Sequence, residues 1–333
     1  MVSKNCGKPA ELGNNAKELA SEIGRLKRQK NAVILAHYYT RPEVQDVADF
    51  VGDSLALSQQ AAATNADIIV FAGVNFMAET AKILSPAKKV LLPDIEAGCS
   101  LAASCDAREF GAFIAAHPGH IVISYVNTSV RVKALTDICC TSSNAVDIVR
   151  AIPKSQKIIF APDRNLGNYI KGITGRTDMV VWDGACHVHE EFSLEKILEL
   201  KKAHPGAKVL AHPECKAPVL LVADKVGSTA ALLDFCTTDD AREYIVVTEP
   251  GILYQMQVKN PTKNFIPAPP LDSTCGCNDC SYMKLMTLEK IARTLREEKP
   301  EVVIEETLRR RAERSIRAML EHRQGEAIRL GAL

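Results

Sequence analysis

Cysteines that recur at one interval could together bind a metal centre. Cys99 and Cys186 lie 87 residues apart, and the same interval separates His117-Pro118-Gly119 from His204-Pro205-Gly206. Two independent landmarks with an equal period indicate an internal repeat, and a third unit of similar length ends in the segment 275–280, which contains three more cysteines. If the repeats surround a common axis, one cysteine from each could bind the same metal centre.

The number of thiolates favours one class of centre. Three would leave a closed tetrahedral zinc site without its fourth ligand. Three on a cubane iron–sulfur cluster leave one iron open, and an open iron is a Lewis acid that can bind and ionise a substrate hydroxyl or carboxylate. Two alternatives stay open, because Cys99 and Cys186 would also serve as buried loop residues, and spacing alone does not choose among Cys275, Cys277 and Cys280.

A second set of residues could transfer protons. They follow the first apolar run of each unit: His37 and Tyr39, then Tyr125 and Asn127, then His212 and Glu214. Such side chains supply donors and acceptors for enolisation, imine formation and dehydration, with Glu214 as the leading general base. A lone histidine after a strand is more often structural, but corresponding positions in three units favour catalysis. The sequence does not decide whether His187 and His189 support this site or are solvated.

Each unit also has a hydroxyl motif that opens a helix, sixteen or seventeen residues further on: Gly52-Asp53-Ser54, Thr141-Ser142-Ser143-Asn144 and Gly227-Ser228-Thr229. A serine or threonine at a helix start is most often an N-cap. Three copies facing one centre favour anion binding, because helix N-termini with added hydroxyl donors bind phosphate and carboxylate. No Walker-type or dinucleotide fingerprint is present, which argues against a nucleotide ligand.

The elements that must position these residues are alternating strands and helices. Each unit has three short apolar runs typical of strands buried on both faces: Val33–Leu35, Ile68–Phe71 and Val90–Leu92; Ile121–Ile123, Ile158–Phe160 and Met179–Trp182; Val209–Leu210, Tyr244–Val247 and Phe265–Ile266. We predict an α/β fold of three pseudo-threefold-related α/β/α sandwich domains, with parallel sheets around a central metal cluster. Ligands of such sheets bind beyond the carboxyl ends of the strands.

The repeats divide the chain into four predicted segments. These are a first α/β repeat with an N-terminal helix at Ala16–Gln29 (1–105), a second repeat (106–192), a third repeat (193–284), and C-terminal helices packing back on the domains (285–333). The last segment is charged from Thr287 onward, with apolar residues at three- and four-residue spacing, which is typical of amphipathic helices.

The composition describes an ordinary globular protein of 333 residues, 47% hydrophobic and 24% charged. A net charge of +1 gives no support to a nucleic-acid partner, and no apolar run reaches the length of a membrane span. The polar start also lacks a secretory signal, so we expect a cytoplasmic protein. Eleven cysteines in a reducing compartment favour metal ligation or redox chemistry over a disulfide scaffold.

These features together resemble the bacterial and archaeal quinolinate synthase family of NAD biosynthesis, over nearly the whole chain from Val33 onward. The motifs that carry the resemblance are His37-Tyr38-Tyr39, Gly52-Asp53-Ser54, Ala97-Gly98-Cys99-Ser100, Tyr125-Val126-Asn127-Thr128, Trp182-Asp183-Gly184-Ala185-Cys186-His187-Val188-His189, His212-Pro213-Glu214-Cys215, Gly227-Ser228-Thr229 and Cys280-Ser281-Tyr282-Met283-Lys284.

The resemblance implies a condensation and dehydration of the transferase or lyase type. Iminoaspartate and dihydroxyacetone phosphate would give quinolinate, phosphate and two waters, with the open iron of a 4Fe–4S cluster as Lewis acid and a transient contact with the enzyme that supplies iminoaspartate. It implies the cluster ligands Cys99, Cys186 and Cys280. It implies substrate contacts at His37, Tyr39, Ser54, Tyr125, Asn127, Ser142, His212, Glu214, Ser228 and Thr229, of which Glu214, Tyr39, His37 and Tyr125 would be catalytic.

The chain departs from the family at one place. Some members carry a redox-responsive Cys-x-x-Cys-x-x-Cys array, but here Thr274 occupies the first position and Cys275 follows it. A regulatory disulfide of Cys277 with Cys275 or Cys280 is therefore not expected. Two other functions stay open: a different iron–sulfur hydro-lyase, and a non-catalytic zinc or redox-sensing protein that would use only the cysteines.

Overall fold

Three parallel sheets with one common topology form the protein. The structure, a computed structural model, describes residues 13–271, 278–326 and 328. Each sheet has four strands, and in each the spatial order is second, first, third and fourth strand of the unit. Helices connect the strands, so the predicted α/β class and the three parallel sheets are confirmed.

The first sheet is built on a strand that is apolar on both faces. Its strands are β1 (Ala32–His37), β2 (Phe50–Gly52), β3 (Ile68–Ala72) and β4 (Lys89–Leu91), connected by α2 (Pro42–Val47), α3 (Ser54–Ala63) and α4 (Asn75–Leu84). The helix α1 (Asn14–Gln29) precedes them. Because His37 pairs with Gly52 in the parallel register, the residues after β1 and β2 emerge side by side.

The second sheet repeats this order. Its strands are β5 (Ile121–Tyr125), β6 (Ile138–Cys140), β7 (Ile158–Ala161) and β8 (Met179–Val181), connected by α7 (Val130–Lys133), α8 (Ala145–Ala151) and α9 (Arg164–Thr174). Two helices, α5 (Ser100–Ala103) and α6 (Ala107–Ala115), lead into it. The α9 helix begins at the N-cap Asp163, whose side chain accepts the Leu166 N–H, and ends at Gly175 with a φ of 67°, a conformation that glycine adopts without strain.

The third sheet follows α10 (His187–Glu190) and α11 (Leu194–Ala203). Its strands are β9 (Lys208–Ala211), β10 (Lys225–Val226), β11 (Glu243–Val247) and β12 (Asn264–Pro267), connected by α12 (Ala217–Leu221), α13 (Thr229–Thr238) and α14 (Ile252–Lys259). Ala211 pairs with Val247, so His212 and Thr248 leave the sheet next to each other.

The chain closes with a 3₁₀ turn (Met283–Leu285) and two helices, α15 (Leu288–Glu297) and α16 (Glu306–Glu321). The predicted terminal helices are therefore present, while the division into 1–105, 106–192, 193–284 and 285–333 remains a proposal. Among the described residues, no helix combines the length and the apolar character that a membrane crossing requires.

The sheets differ from the sequence prediction in one respect. All nine predicted strands form, but each sheet has a fourth strand, β2, β6 or β10, of only two or three residues. Each of these strands ends just before a hydroxyl motif. Runs this short show no periodicity, which explains why the sequence pattern did not indicate them.

Candidate active site

One cavity collects the residues that follow the strands of all three sheets. The space between its atoms, including the part open to solvent, is about 700 Å³. Twelve of the thirteen predicted site residues line it: His37, Tyr39, Ser54, Cys99, Tyr125, Asn127, Ser142, Cys186, His212, Glu214, Thr229 and Cys280. Ser228 is not among the lining residues. The structure thus brings the predicted set together, while the role of each member remains a prediction.

The cysteines at the cavity differ from the others in exposure. Cys99 and Cys186 precede α5 and α10 as N-cap residues, and Cys280 lies just before the 3₁₀ turn. Among the described cysteines these three are partly accessible, while the remaining five are buried. Cys275 and Cys277, two of the alternatives from the sequence, lie outside the described residues.

Burial keeps these thiols protonated. It raises the pKa of Cys99 to about 12 and that of Cys280 to about 11, and it raises the pKa of Cys186 well above the ordinary value. Thiolate is the form that binds metal, so a bound cation must supply the charge that ionises them, with release of protons. Three such thiols on one cavity wall fit the thiolate donor set of an iron–sulfur cluster.

A second group of possible metal ligands overlaps the first. Ligand atoms of Cys186, His189 and Glu214 all lie within 4.8 Å of one another. His189 Nδ1 is 3.3 Å from Cys186 Sγ and 3.1 Å from a Glu214 carboxylate oxygen. Cysteine, histidine and carboxylate ligands are those of zinc sites, so this group is the structural basis of the zinc alternative.

Glu214 is the ionised carboxylate at the centre of the cavity. Burial opposes its ionisation, but interactions with His189 and His212 and hydrogen bonds from His189 and Tyr125 prevail and lower its pKa to about 2. Tyr125 Oη donates to Glu214 Oε1 at 2.7 Å. Burial, together with this nearby negative charge, raises the pKa of Tyr125 well above 10. At neutral pH the pair therefore consists of a carboxylate and a protonated phenol.

The two predicted histidines are neutral. Burial lowers the pKa of His37 and of His212 to about 3. In each ring Nδ1 accepts a backbone N–H two residues ahead, from Tyr39 at 3.2 Å and from Glu214 at 3.4 Å. The ring proton of each must then be on Nε2, and His212 Nε2 donates to Ser142 Oγ at 3.2 Å.

A chain of hydrogen bonds connects Tyr39 to Glu214. Tyr39 Oη is 2.8 Å from Thr248 Oγ1, and Thr248 Oγ1 is 2.9 Å from His189 Nε2. With Nδ1–H of His189 donating to Glu214, Nε2 accepts from the threonine hydroxyl and the threonine accepts from the phenol. Tyr39 Oη also lies 2.8 Å from Thr229 Oγ1. His189 is therefore a buried part of the site and not a solvated residue, which the sequence had not decided.

The hydroxyl motifs have unequal roles. Ser54, Ser142 and Thr229 line the cavity. Ser228 is buried and caps α13, where its side chain accepts the Ala231 N–H at 3.3 Å. For Ser228 the hydroxyl is therefore an N-cap, the role that a serine at a helix start most often has.

Sequence reasoning missed two residues that follow the third strand of the last unit. Thr248 belongs to the hydrogen-bond chain above, and Glu249 lines the cavity and accepts the Cys280 N–H at 3.1 Å. The signal was available, because both directly follow the apolar run Tyr244–Val247, at the end of the strand where ligands bind.

Comparisons with known proteins agree with one another. The family model NadA, described as quinolinate synthetase A protein, matches residues 21–321. The quinolinate synthase of Thermosynechococcus vestitus is 60% identical over 304 residues, which cover 91% of this chain and 95% of that protein. The quinolinate synthase of Trichormus variabilis is 59% identical over 304 residues, or 91% and 93%. That of Nostoc punctiforme is 57% identical over 311 residues, or 93% and 95%.

Proposed function

The chain belongs to the quinolinate synthetase A family, and we propose that it condenses iminoaspartate with dihydroxyacetone phosphate to give quinolinate, phosphate and two waters. The observation that carries the proposal is the convergence of Cys99, Cys186 and Cys280 on the cavity that also holds Glu214 and Tyr39. A soluble reducing compartment, the cytoplasm, suits this cysteine-rich chain, and a transient contact with the enzyme that supplies iminoaspartate belongs to the same proposal.

Cys99, Cys186 and Cys280 would hold a 4Fe–4S cluster. When bound through three thiolates, such a cluster has an open iron, a Lewis acid that assists the loss of a substrate hydroxyl as water. The buried protonated thiols, the cavity in front of them and the carboxylate nearby fit this group.

The chain's own residues would hold the anionic groups of both substrates. Ser54, Ser142 and Thr229 present hydroxyls to the cavity, and Thr229 opens α13, whose N-terminal amides favour phosphate or carboxylate. Asn127 Oδ1 is buried at the cavity and has no hydrogen-bond partner among the described residues. An unpaired buried acceptor is unfavourable, so we assign it to an N–H or O–H of the substrate.

Proton transfers would use the two routes that meet at Glu214. Burial raises the pKa of Tyr39 well above 10, so it acts as a phenol. As Tyr39 Oη takes a proton from substrate, its own proton would pass through Thr248 to His189 Nε2, and the Nδ1 proton of His189 would pass to the Glu214 carboxylate, because these groups are already hydrogen bonded in series. The second route is direct, from Tyr125 Oη to Glu214 Oε1. The neutral His37 would donate a hydrogen bond from Nε2 to a substrate oxygen without adding charge. The neutral His212 donates from Nε2 to Ser142 Oγ and would act on the substrate by orienting that hydroxyl.

Anaerobic purification with iron and sulfide counting tests the proposal. We expect about four irons per chain, a brown protein, and quinolinate formation that requires both substrates. Cys186→Ala should lose absorbance, iron and turnover together, whereas Cys236→Ala, at a buried cysteine away from the cavity, should keep all three. Full activity in a colourless protein would refute the cluster.

Two rivals give different results in the same experiment. One zinc per chain, lost in His189→Ala, would favour the non-catalytic protein suggested by the Cys186, His189 and Glu214 group. Turnover of a simple hydroxy acid without a triose phosphate would favour another iron–sulfur hydro-lyase.

A further inference from the structure

An ion pair lies at the edge of the cavity, between Glu249, which lines it, and the partly buried Lys284. Glu249 is fully buried, and Lys284 Nζ lies 2.7 Å from its Oε1. A buried pair adds little to stability compared with apolar side chains of similar size. The role of the pair is therefore better judged from its contacts to other segments than from its contribution to the free energy of unfolding.

Each member of the pair holds the backbone of a different segment. Glu249 Oε1 accepts the Cys280 N–H at 3.1 Å, and Oε2 accepts the Gly251 N–H at 2.7 Å. Lys284 Nζ donates to the carbonyl oxygen of Tyr39 at 2.7 Å. The pair thereby joins the turn after β1, the turn after β11 and the segment that carries Cys280.

The backbone around the pair is close-packed. A Cβ at Gly251 would lie 2.7 Å from Tyr39 Cα and 2.8 Å from Glu249 Oε2, so only glycine permits this approach. From the other side, Arg41 Nε donates to the Lys284 carbonyl at 2.9 Å. The turn after β1 and the segment 280–284 are thus tied at two points, through the ammonium group and through the carbonyl oxygen of Lys284.

We infer that Glu249 and Lys284 are positioning residues, which fix the Cys280 backbone and the Tyr39 turn relative to each other. This inference rests on the proposed function: one ion pair then fixes both the position of the cluster ligand Cys280 and the position of the Tyr39 phenol. Neither residue needs to contact substrate for this role. Groups that orient metal ligands typically change metal affinity or activity about 10- to 100-fold when they are replaced.

The test uses the full chain with Glu249→Gln and Lys284→Met. The control is Lys208→Met, which breaks the Lys208–Asp239 pair of the third sheet, away from the cavity. In the cluster-free protein, hydrogen exchange of peptides covering 38–41 and 279–285 should become faster together in both variants. In the reconstituted protein, iron release to a chelator should accelerate about 10- to 100-fold, and kcat should fall more than KM rises. The control should match the parent protein throughout.

A change in exchange that is confined to one of the two segments would contradict the inference. Faster exchange in 279–285 alone, with 38–41 unchanged, would overturn the coupling even if activity fell. If circular dichroism shows that Lys284→Met does not fold, the exchange of the two segments in Glu249→Gln tests the inference. If the parent protein binds no iron, the proposed function fails, while the exchange of the two segments in the cluster-free chain still tests this inference.

Discussion

Burial and local hydrogen bonds set the charge of each residue in the cavity. His37 and His212 are neutral because burial depresses their pKa to about 3, and their Nδ1 atoms already accept backbone N–H groups. Glu214 stays ionised despite burial, through its interactions with His189 and His212 and the hydrogen bonds from His189 and Tyr125, which lower its pKa. Glu214 is thus an ionised proton acceptor at the point where the two hydrogen-bond routes meet.

The neutral state of His37 predicts a pH dependence of stability. The unfolded chain takes up a proton on this residue below pH 6.5, but the folded protein does so only near pH 3. The free energy of unfolding should therefore fall as the pH drops from 6.5 towards 3. Between pH 6.5 and 5 the contribution of His37 is about 1–2 kcal/mol.

Denaturant unfolding of the cluster-free protein at pH 6.5 and pH 5 measures this effect. His37→Gln should lose less stability between the two values than the parent protein does. His120→Gln, at a histidine away from the cavity, should retain the parent's dependence. An equal pH dependence in His37→Gln and the parent would show that His37 is not held neutral.

Glu214 carries the main catalytic prediction at this scale. In Glu214→Gln the two proton routes end on an amide that cannot accept a proton, so kcat should fall about 10²- to 10⁴-fold. Iron content and absorbance should not change, because the substitution leaves the three cysteines in place. Glu199→Gln, on the exposed face of α11, should leave kcat as it is. An unchanged rate in Glu214→Gln would remove this residue from the mechanism.

At the scale of the elements, apolar runs in the sequence predicted the longer strands, and recurring motifs predicted the polar residues that follow them. The runs that became β1, β3 and β4 and their counterparts were correct, and the polar residues after the first strands do line the cavity. The strand β10 has two residues and could not be recognised by periodicity. The position of Thr248 and Glu249 after the run Tyr244–Val247 is visible in the sequence, but their place beside His212 depends on the pairing of β11 with β9, which is a long-range contact.

The cysteines show a different limit of sequence reasoning. Equal spacing selected Cys99 and Cys186, but Cys280 was chosen over its neighbours only through the family resemblance. The order of the residues does not reveal that five of the described cysteines are buried and three are partly accessible. Exposure depends on how the described residues around Cys99, Cys186 and Cys280 pack, and this is set by tertiary contacts.

The loop after β8 contains a glycine whose replacement should disturb Cys186. A Cβ at Gly184 would lie 2.4 Å from Ser104 Oγ and 2.5 Å from the Pro162 carbonyl oxygen. Gly184→Ala must shift this backbone, so we expect it to destabilise the protein by about 1–3 kcal/mol. Because Cys186 is two residues away, iron content should also fall.

Gly172 provides the matched control. It lies in α9, where a Cβ meets no atom within 4 Å beyond the helix's own backbone. Gly172→Ala should raise stability by about 0.5–1 kcal/mol through the higher helix propensity of alanine. Thermal and denaturant unfolding compare the two variants directly. A tolerated alanine at position 184, with normal iron content, would contradict the close packing of this loop.

At the scale of the whole molecule, the three units have similar sequences but unequal packing. Buried residues of the first sheet and of one face of the second form one continuous core with α15 and α16, and the other face of the second sheet packs in a small cluster with α6. The third sheet packs in two further clusters. The α16 helix joins the first two units directly. Arg309 Nη1 donates to the Ile83 carbonyl at 3.0 Å, and Ser315 Oγ donates to the Lys133 carbonyl at 3.0 Å.

This asymmetry predicts where a core mutation in α16 acts. Ile316 is fully buried in the shared core. Ile316→Ala should lower the free energy of unfolding by about 2–5 kcal/mol through lost burial and a cavity. Hydrogen exchange should become faster in β5 and β6, which lie in the core that α16 completes, and less so in β9 and β11, which pack in clusters of their own.

Val303→Ala is the control, because this side chain is 82% exposed and its truncation should change stability by no more than about 0.5 kcal/mol. If Ile316→Ala accelerated exchange equally in all three sheets, the units would unfold cooperatively, and the separate cores would not differ in their free energy of opening. Acceleration confined to the first two sheets would instead make the third unit an independently stable wall of the cavity. In that case the Glu249–Lys284 pair would join the hydrogen bonds of Tyr39 Oη to Thr229 and Thr248 in tying this wall to the turn that carries Tyr39.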